Sequence, residues 1–260
     1  MSIIDHAPPV AELDADDGKP LRSIEKGLAI LDAFEGDSAL LGVSEIARRS
    51  GLPKSTAFRL TTSLEQKGYL ERVGDRYRLG LRLFELGNMV SWCRPRRLRE
   101  TALPFMCDLF RQTGKTVHLA VLDGTDVLYV EKLHGREQIS TPSRVGGRVS
   151  ARTTALGKAI LAHSDAETVS RALSVAPRFC TSRAATPELF LKELDAVRRQ
   201  GVAFDREEVR VGLTCVAAPI LQRGQVLGAL SLSGCAHTFD AEGLAQRVRY
   251  SAESVAHLML

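Results

Sequence analysis

The chain has 260 residues, of which 44% are hydrophobic, and it carries a formal net charge of +4 with a pI of about 8.9. This length is too great for one small DNA-binding module and suits two domains of ordinary size. The small net charge excludes a protein that binds nucleic acid through a basic field over its whole surface, so any basic binding surface must be local.

The N-terminal residues and the apolar runs bear on where the protein acts. Residues 1–20 are rich in acidic residues and proline and are predicted to form a disordered acidic tail. They lack the pattern of a signal peptide, and no stretch approaches the roughly 20 apolar residues of a membrane span. We predict a cytoplasmic protein with no membrane partner.

The cysteines argue against disulfides and metal sites. They are odd in number and show no C-x-x-C spacing: Cys93, Cys107, Cys180, Cys215 and Cys235. Histidines and cysteines are also dispersed without the spacing of chelating residues. We therefore predict no structural disulfide, no metal site and no cofactor.

Residues 42–80 have the pattern of two short helices, a glycine turn between them, and a tight hairpin. Ser44 is a suitable N-cap for a helix over 45–50, because its hydroxyl can accept from the free N–H groups of the first turn. Gly51 supplies the turn, and Pro53 suits the first position of the next helix. A helix-turn-helix followed by such a hairpin, or wing, commonly enters DNA grooves.

The second helix of this motif has an apolar stripe and a polar face. Three-to-four spacing places Ala57, Leu60 and Leu64 in the stripe, with Phe58 as a weaker member. The N-terminal end of the polar face points at base edges in this motif. That end carries Lys54, Ser55, Thr56 and Arg59.

The hairpin is predicted to have strands over 69–73 and 76–79 around the turn Gly74-Asp75. Its arginines, Arg72, Arg76 and Arg78, are expected to project toward the DNA backbone or the minor groove. We assign the DNA contacts to one set of residues: Ser44, Lys54, Ser55, Thr56, Arg59 and Arg76.

Two further helices flank this unit. One covers 23–34 and has an apolar face formed by Ile24, Leu28, Leu31 and Phe34. The other covers 81–93 and is predicted to link two domains, with apolar positions at Leu83, Leu86, Met89, Val90 and Trp92. The basic run over 94–99 is either a phosphate contact or a solvated helix start. We predict a DNA-binding domain over 21–80, a linker helix over 81–96 and a second domain over 97–260.

The second domain is predicted to have an α+β fold with an antiparallel sheet. An amphipathic helix ends at Gly114, and strands over 116–123 and 127–133 form a hairpin. Helices over 154–163, 165–173 and 187–200 follow, then strands over 213–221 and 226–235 and a helix over 240–260. Hairpins separated by helices indicate a layered sheet that can hold a small ligand on one face.

Several segments follow one another along the chain: LRSIEKGLAILDAF, GLPKSTAFRLTTSLEQKGYL, YRLG, TVHLAVLDG, TALGKAILA, DREEVRVGLTCVAAPI and ALSLSG. With these segments in this order, the chain after residue 20 resembles the IclR family of bacterial transcription regulators. The resemblance implies a winged helix, a linker helix and a GAF-like effector domain. It also implies a homodimer or tetramer that binds palindromic double-stranded operator DNA.

The resemblance further implies regulation of a catabolic or metabolic operon, with repression favoured over activation. The effector is expected to be a small carboxylate or an aromatic acid. Its binding would shift the two winged helices of a dimer through the linker helices and so change their match to the operator.

The residues that match the family's effector site can be named in this sequence. They are Ala155, Leu156, Asp205, Cys215, Ser231 and Ser233. Free amides at the start of the helix that contains Gly157 suit a carboxylate. Ser231 and Ser233 are two apart on a strand and face the same side, while Leu230 and Leu232 fill the other side.

Arg152 departs from the family pattern, in which proline and histidine are common before this helix. We predict that Arg152 either clamps the effector carboxylate with its guanidinium or lies at the rim of the site.

The competing function is that of an enzyme or a redox sensor that uses Cys215. His237 would act as the base and Asp205 would orient it. Against this, Cys215 lies in an apolar strand, where a buried thiol is normally inert. His118 alternates with apolar neighbours and is predicted to decorate a surface.

Overall fold

A computed structural model describes residues 22–35, 39–89, 98–137, 141–177 and 179–259. The chain divides into two compact units, Met1–Val90 and Ser91–Leu260. The predicted acidic tail over 1–20, the C-terminal part of the predicted linker helix and the basic run over 94–97 lie outside the described residues.

The first unit is a small helical domain with a wing. Its elements are α1 (Ser23–Asp32), β1 (Leu41–Gly42), α2 (Val43–Ser50), α3 (Lys54–Gln66), β2 (Leu70–Val73), β3 (Arg76–Leu79) and α4 (Leu81–Asn88). The three strands pair in the order β1-β3-β2, with antiparallel neighbours. The predicted helix-turn-helix and wing are confirmed, since α2 and α3 precede a hairpin whose turn is Gly74-Asp75.

The start of α2 differs by two residues from the sequence prediction, and that of α3 by one. Helix α2 begins at Val43 with Gly42 as its N-cap, so the prediction that Ser44 caps this helix is wrong. Pro53 is the N-cap of α3 and not its first residue. The turn between these helices falls on Gly51, as predicted, with a φ of 67° that a residue without Cβ adopts readily.

The core of the first unit corrects two predictions of buried side chains. Phe58 is 55% exposed, and Thr61 takes the inner position on α3 instead. On α1, Ile24 and Leu28 are 73% and 54% exposed, while Ile30 is buried. The reason is that α1 presents its C-terminal half to the domain core, so its N-terminal apolar residues lie on the outside.

The second unit is an antiparallel sheet covered by helices on both faces. Its elements are α5 (Leu98–Thr113), β4 (Thr116–Asp123), β5 (Asp126–Leu133), β6 (Arg148–Ser150), α6 (Ala155–Leu161), α7 (Ala166–Ser174), α8 (Pro187–Gln200), β7 (Ala203–Arg206), β8 (Leu213–Gln222), β9 (Gln225–Cys235) and α9 (Ala241–Leu258). The strand order is β6-β5-β4-β9-β8-β7. Helices α5 and α9 pack on one face, whereas α6 packs on the other face with α8 outside it. The predicted α+β class is confirmed.

The two short outer strands, β6 and β7, were not predicted. Each has too few residues for an alternating pattern to stand out from the neighbouring loops. Strand β7 carries Asp205, one of the predicted effector residues, which pairs in register with Cys215 of β8.

Helix α6 lies very close to the backbone that precedes it, and Gly157 makes this approach possible. A Cβ at position 157 would overlap the carbonyl oxygen and Cα of Ala151. Thr154 caps the same helix, because its hydroxyl accepts from the N–H of Gly157 at 3.0 Å. These contacts fix the position of the first turn of α6 against the sheet.

Gly157→Ala is expected to destabilise the second domain by about 1–3 kcal/mol or more, because the added methyl forces the backbone apart. Thermal unfolding followed by circular dichroism measures the effect. Gly27→Ala on α1 is the control, because a Cβ there meets nothing within 4 Å. An unchanged melting temperature for Gly157→Ala contradicts the close approach.

Candidate functional site

The outer face of α3 carries a group of basic and polar side chains. Lys54, Ser55 and Arg59 are exposed, and Thr56 is half-buried. Phe58 lies on the same face, so an aromatic ring stands among these residues. The structure therefore brings together four of the six residues assigned to DNA contact and adds Phe58, which sequence patterning had placed in the core stripe.

The cations around this helix differ in how far they are already paired. Arg48 and Arg49 of α2 both bond to Glu45, with Nη2 and Nε at 2.7 Å from its Oε1. By contrast, Lys54 and Arg59 form no ion pair with any carboxylate in the described part of the chain. The charges on α3 are therefore available to an external anion, while the two arginines on α2 share one carboxylate.

The three wing arginines also differ. Arg78 makes a two-pronged contact with Glu71 at 3.0 and 2.7 Å, and this bond lowers the pKa of Glu71. Arg72 donates to the carbonyl of Gly74 at 3.0 Å and lies over the Tyr77 ring. Arg76 is exposed beside the turn and is in no ion pair with the described residues. Arg76 is the wing cation that remains open to a ligand.

The second unit contains a cavity between the sheet and the start of α6. Its wall is formed by His118, Tyr129, Thr141, Pro142, Ser143, Thr154, Ala155, Leu156, Asp205, Val209, Leu213, Cys215, Ser231 and Ser233. All six residues predicted to bind the effector are in this wall. They come from α6, β7, β8 and β9, which are far apart in sequence.

Arg152 is not part of this wall. Its Nη2 donates to the carbonyl of Ala185 at 3.1 Å, so its guanidinium is engaged with the loop before α8. The predicted carboxylate clamp is not supported by this arrangement, because the guanidinium bonds to this loop and Arg152 does not line the cavity.

His118 is the main residue of the cavity that sequence reasoning missed. It was predicted to lie on a surface, yet it is only 2% exposed. Its Nδ1 lies 3.4 Å from the Ser231 hydroxyl and 3.5 Å from that of Ser233, and its ring meets that of Tyr129 edge-on at 5.2 Å. His118 does face away from Val117 and Leu119, as the alternation predicts, but this face of the sheet is covered by α6. Burial lowers the pKa of His118 to about 3, with help from the Lys132 ammonium, so the imidazole is neutral near pH 7.

A chain of hydrogen bonds leads from His118 along the cavity wall. Its Nε2 lies 2.8 Å from the Ser143 hydroxyl, which lies 2.8 Å from that of Thr141. The Lys132 ammonium donates to the Thr141 hydroxyl at 2.8 Å and to the Ser143 carbonyl at 2.7 Å. The cavity wall is thus held in place by a half-buried lysine directly behind it.

Asp205 is the acidic residue of the wall and is 1% exposed. One carboxylate oxygen accepts from the N–H of Glu208 at 2.8 Å and, more weakly, from that of Val209 at 3.4 Å. Burial nevertheless raises the pKa of Asp205 to about 7, and the nearby charge of Glu208 acts in the same direction. Asp205 therefore exists in both protonation states near neutral pH.

A buried lysine lies behind Asp205. The Lys158 ammonium bonds to Glu208, to Glu193 at 2.8 Å and to the carbonyl of Phe204 at 3.0 Å. Burial raises the pKa of Glu208, while the lysine opposes that change. Because two carboxylates already surround this ammonium, it has little attraction left for an anion in the cavity.

The surroundings of Cys215 do not activate a nucleophile. Its sulfur accepts from the Ser233 hydroxyl at 3.1 Å, and burial raises the pKa of the thiol well above its usual value. The histidine near it is the neutral His118, whereas His237 is not in the cavity wall. This geometry does not support the alternative of a cysteine-dependent enzyme.

Comparisons with known proteins agree with this architecture in both units. The IclR helix-turn-helix domain matches residues 23–74, and the bacterial transcriptional regulator IclR C-terminal domain matches residues 92–257. The chain belongs to the IclR family of bacterial transcriptional regulators. The members of this family regulate transcription and are not enzymes.

The most similar relatives include curated regulators and solved structures. The chain is 35% identical over 231 residues to the HTH-type transcriptional regulator XynR of Escherichia coli, covering 86% of this chain and 90% of XynR. KdgR of Escherichia coli is also 35% identical, over 87% of each chain. An IclR homolog from Microbacterium hydrocarbonoxydans, solved in complex with 4-hydroxybenzoate, has 30% identity and a TM-score of 0.84, covering 92% of this chain and 99% of that one.

Among the described ranges, no helix combines the length and apolar character needed to cross a bilayer. Nor do those ranges place three or more His, Cys, Asp or Glu side chains where they would hold one metal ion.

Asp205→Asn is expected to change how stability depends on pH. The native state retains a proton at Asp205 up to about pH 7, whereas the unfolded chain releases it near pH 4, so the wild type loses this contribution as pH rises between these values. Relative to wild type, Asp205→Asn should gain on the order of 1.4 kcal/mol per pH unit in this window.

Urea unfolding at pH 4, 5.5, 7 and 8 measures this difference. The exposed residue Asp195, which pairs with Arg198 on α8, provides Asp195→Asn as the matched control. If the free energy of unfolding depends on pH in the same way for wild type and Asp205→Asn, burial does not hold a proton on Asp205.

Proposed function

We propose that this IclR-family regulator is a ligand-responsive repressor of a catabolic or metabolic operon, controlled by a small carboxylate bound in the cavity of its second domain. The observation that carries the proposal is the convergence of all six predicted effector residues on one cavity. A regulator of this kind acts on chromosomal DNA, and on that ground we place it in the cytoplasm.

The DNA contacts are proposed for the outer face of α3 and the wing. Lys54, Ser55, Thr56 and Arg59 lie at or near the N-terminal end of α3, the end that reaches base edges in this motif. Arg76 supplies a phosphate or minor-groove contact from the wing. The exposed ring of Phe58 on the same face can contact a thymine methyl group. Ser44 is exposed in the first turn of α2 and is proposed to contact a phosphate.

A dimer is proposed because the first domain leaves apolar side chains uncovered on two of its helices. Leu81, Phe84 and Met89, on α4 and at its end, are 76%, 71% and 79% exposed, and Ile24 and Leu28 of α1 are also exposed. Patches of this kind mark association surfaces. Two copies would present two recognition helices to a palindromic operator, and two dimers would make a tetramer.

The effector is proposed to be a small carboxylate or an aromatic acid. The cavity wall mixes apolar side chains with a few hydroxyl groups, as the walls of ligand pockets do. The amides of Ala155 and Leu156 open α6 and have no acceptor within the helix. The Microbacterium homolog holds 4-hydroxybenzoate, which makes aromatic acids the first class to test.

Footprinting of the DNA upstream of the gene, with and without candidate acids, tests the proposal as a whole. We expect a protected palindrome whose protection weakens when the effector is added. Absence of any protected palindrome near the gene, at low and at moderate salt, counts against a local operator.

Arg59→Ala and Arg76→Ala are expected to weaken operator binding, because each removes a cation that has no ion pair within the described ranges. Loss of a base contact by Arg59 should cost about 1–3 kcal/mol, and loss of a phosphate contact by Arg76 should reduce the salt slope by about 1. Arg78→Ala should have a smaller effect, since Glu71 already holds that guanidinium. Fluorescence anisotropy at several salt concentrations separates the three variants. Equal losses of operator affinity for Arg76→Ala and Arg78→Ala would contradict the assignment of Arg76 as the DNA contact of the wing.

The double variant Ser231→Ala/Ser233→Ala is expected to lose its response to effector while it keeps its operator affinity in the absence of effector. The reason is that both hydroxyls line the cavity and neither belongs to the DNA-binding domain. Mobility-shift titrations with and without effector measure both quantities. Ser164→Ala is the control, because its hydroxyl bonds to the Ile160 carbonyl on α6. A normal response to effector in the double variant would show that the two serines do not contribute to the effector site.

A further inference from the structure

The cavity wall presents a problem for a carboxylate ligand. Among the described residues, its lining contains Asp205 and no lysine or arginine. Behind Asp205, the Lys158 ammonium is already surrounded by Glu193 and Glu208. This side of the cavity is therefore negative or neutral, and it would repel an anion and not attract it.

Lys132 lies on the opposite side of the cavity. It is on β5, whereas Asp205 is on β7, and strands β4, β9 and β8 lie between them. In the β4–β5 register, Lys132 is the direct partner of His118, so both side chains lie on the face of the sheet that carries the cavity. A register shift between Leu119 and Ala120 lets Tyr129 share this face as well.

The Lys132 ammonium contacts the wall without a counter-charge. It donates to the Thr141 hydroxyl at 2.8 Å and to the Ser143 carbonyl at 2.7 Å, and both residues line the cavity. Among the described residues it has no ion pair, and the neighbouring Glu131 is bonded to Arg99 at 2.6 Å. A cation thus lies one hydrogen bond behind the wall, and neutral groups separate it from the cavity.

The position of the Lys132 ammonium affects the pKa of the lysine itself and that of His118. Burial lowers the pKa of Lys132, which means that its charged form lacks solvation. Its charge also contributes to the lowered pKa of His118. An anion placed against Ser143, Thr141 and His118 would relieve both effects, because it would supply the missing counter-charge.

We propose that Lys132 is the specificity-determining cation of the effector cavity, and that it selects anionic carboxylates over neutral ligands of the same shape. It acts through the hydroxyls of Thr141 and Ser143 and does not need to touch the ligand. The ligand's carboxylate then lies on the β5 side, and an uncharged polar group, such as a hydroxyl, lies toward Asp205. This inference rests on the proposed function, in which the cavity holds the effector.

The test compares acids with their neutral amides. Binding of acetate, acetamide, 4-hydroxybenzoate and 4-hydroxybenzamide is measured by NMR titration of the full chain, with acetate and acetamide carried to 100 mM. Two variants separate charge from hydrogen bonding: Lys132→Gln keeps donors without charge, and Lys132→Arg keeps both. Circular dichroism and operator affinity without ligand confirm that each variant is folded.

Wild type should bind the acids more tightly than the amides, and Lys132→Gln should reduce this preference roughly tenfold or more. Lys132→Arg should retain most of it. Three results would overturn the proposal: wild type binds acetate no better than acetamide, Lys132→Gln keeps the preference, or Lys132→Gln weakens acid and amide equally. The last result would show that Lys132 only supports the wall.

The variant Ser231→Ala/Ser233→Ala distinguishes this inference from the proposed function. If the serine variant loses ligand binding while Lys132→Gln keeps the preference for acids, the cavity is the effector site and the role of Lys132 is wrong. If neither change affects ligand binding, the effector cavity itself is wrong.

Discussion

The second domain depends on one pairing, that of β4 with β9. This pairing aligns Thr116 with Ser233, Val117 with Leu232 and His118 with Ser231. Because side chains alternate along a strand, the register sends Leu230 and Leu232 into the core under α5 and α9 and turns the serines and His118 toward α6. A slip of one residue would exchange the two faces, and it would destroy the core and the cavity together.

Much of this arrangement follows from local patterns in the sequence. The spacing of Ala57, Leu60 and Leu64 predicted α3, and the alternation of serine and leucine predicted the two faces of β9. The DNA-binding unit was predictable in the same way, since a helix-turn-helix and its wing are contiguous in the chain. The predictions for Ser44 and Phe58 are wrong because a shift of two residues in a helix start, or of one position on a helix face, lies within the error of such patterns.

The composition of the cavity depended on information that local patterns do not contain. His118 and Ser231 are 113 residues apart. Their contact requires both the strand order and the register, and the alternation around His118 says only that it faces away from Val117 and Leu119. The roles of Lys132 and Arg152 were equally inaccessible. The Lys132 ammonium donates to the carbonyl of Ser143, and the Arg152 guanidinium donates to the carbonyl of Ala185. Both carbonyls belong to other segments of the chain.

The central claim is that one chain couples a DNA-binding domain to a carboxylate-binding cavity. Coupling of this kind is reciprocal: the factor by which effector changes operator affinity must equal the factor by which operator changes effector affinity. Both factors are measured in one buffer, by anisotropy of labelled operator with and without saturating acid and by calorimetric titration of the acid into free and operator-bound protein. We predict two equal factors, each clearly different from one. An operator affinity that stays the same at saturating acid would contradict the account.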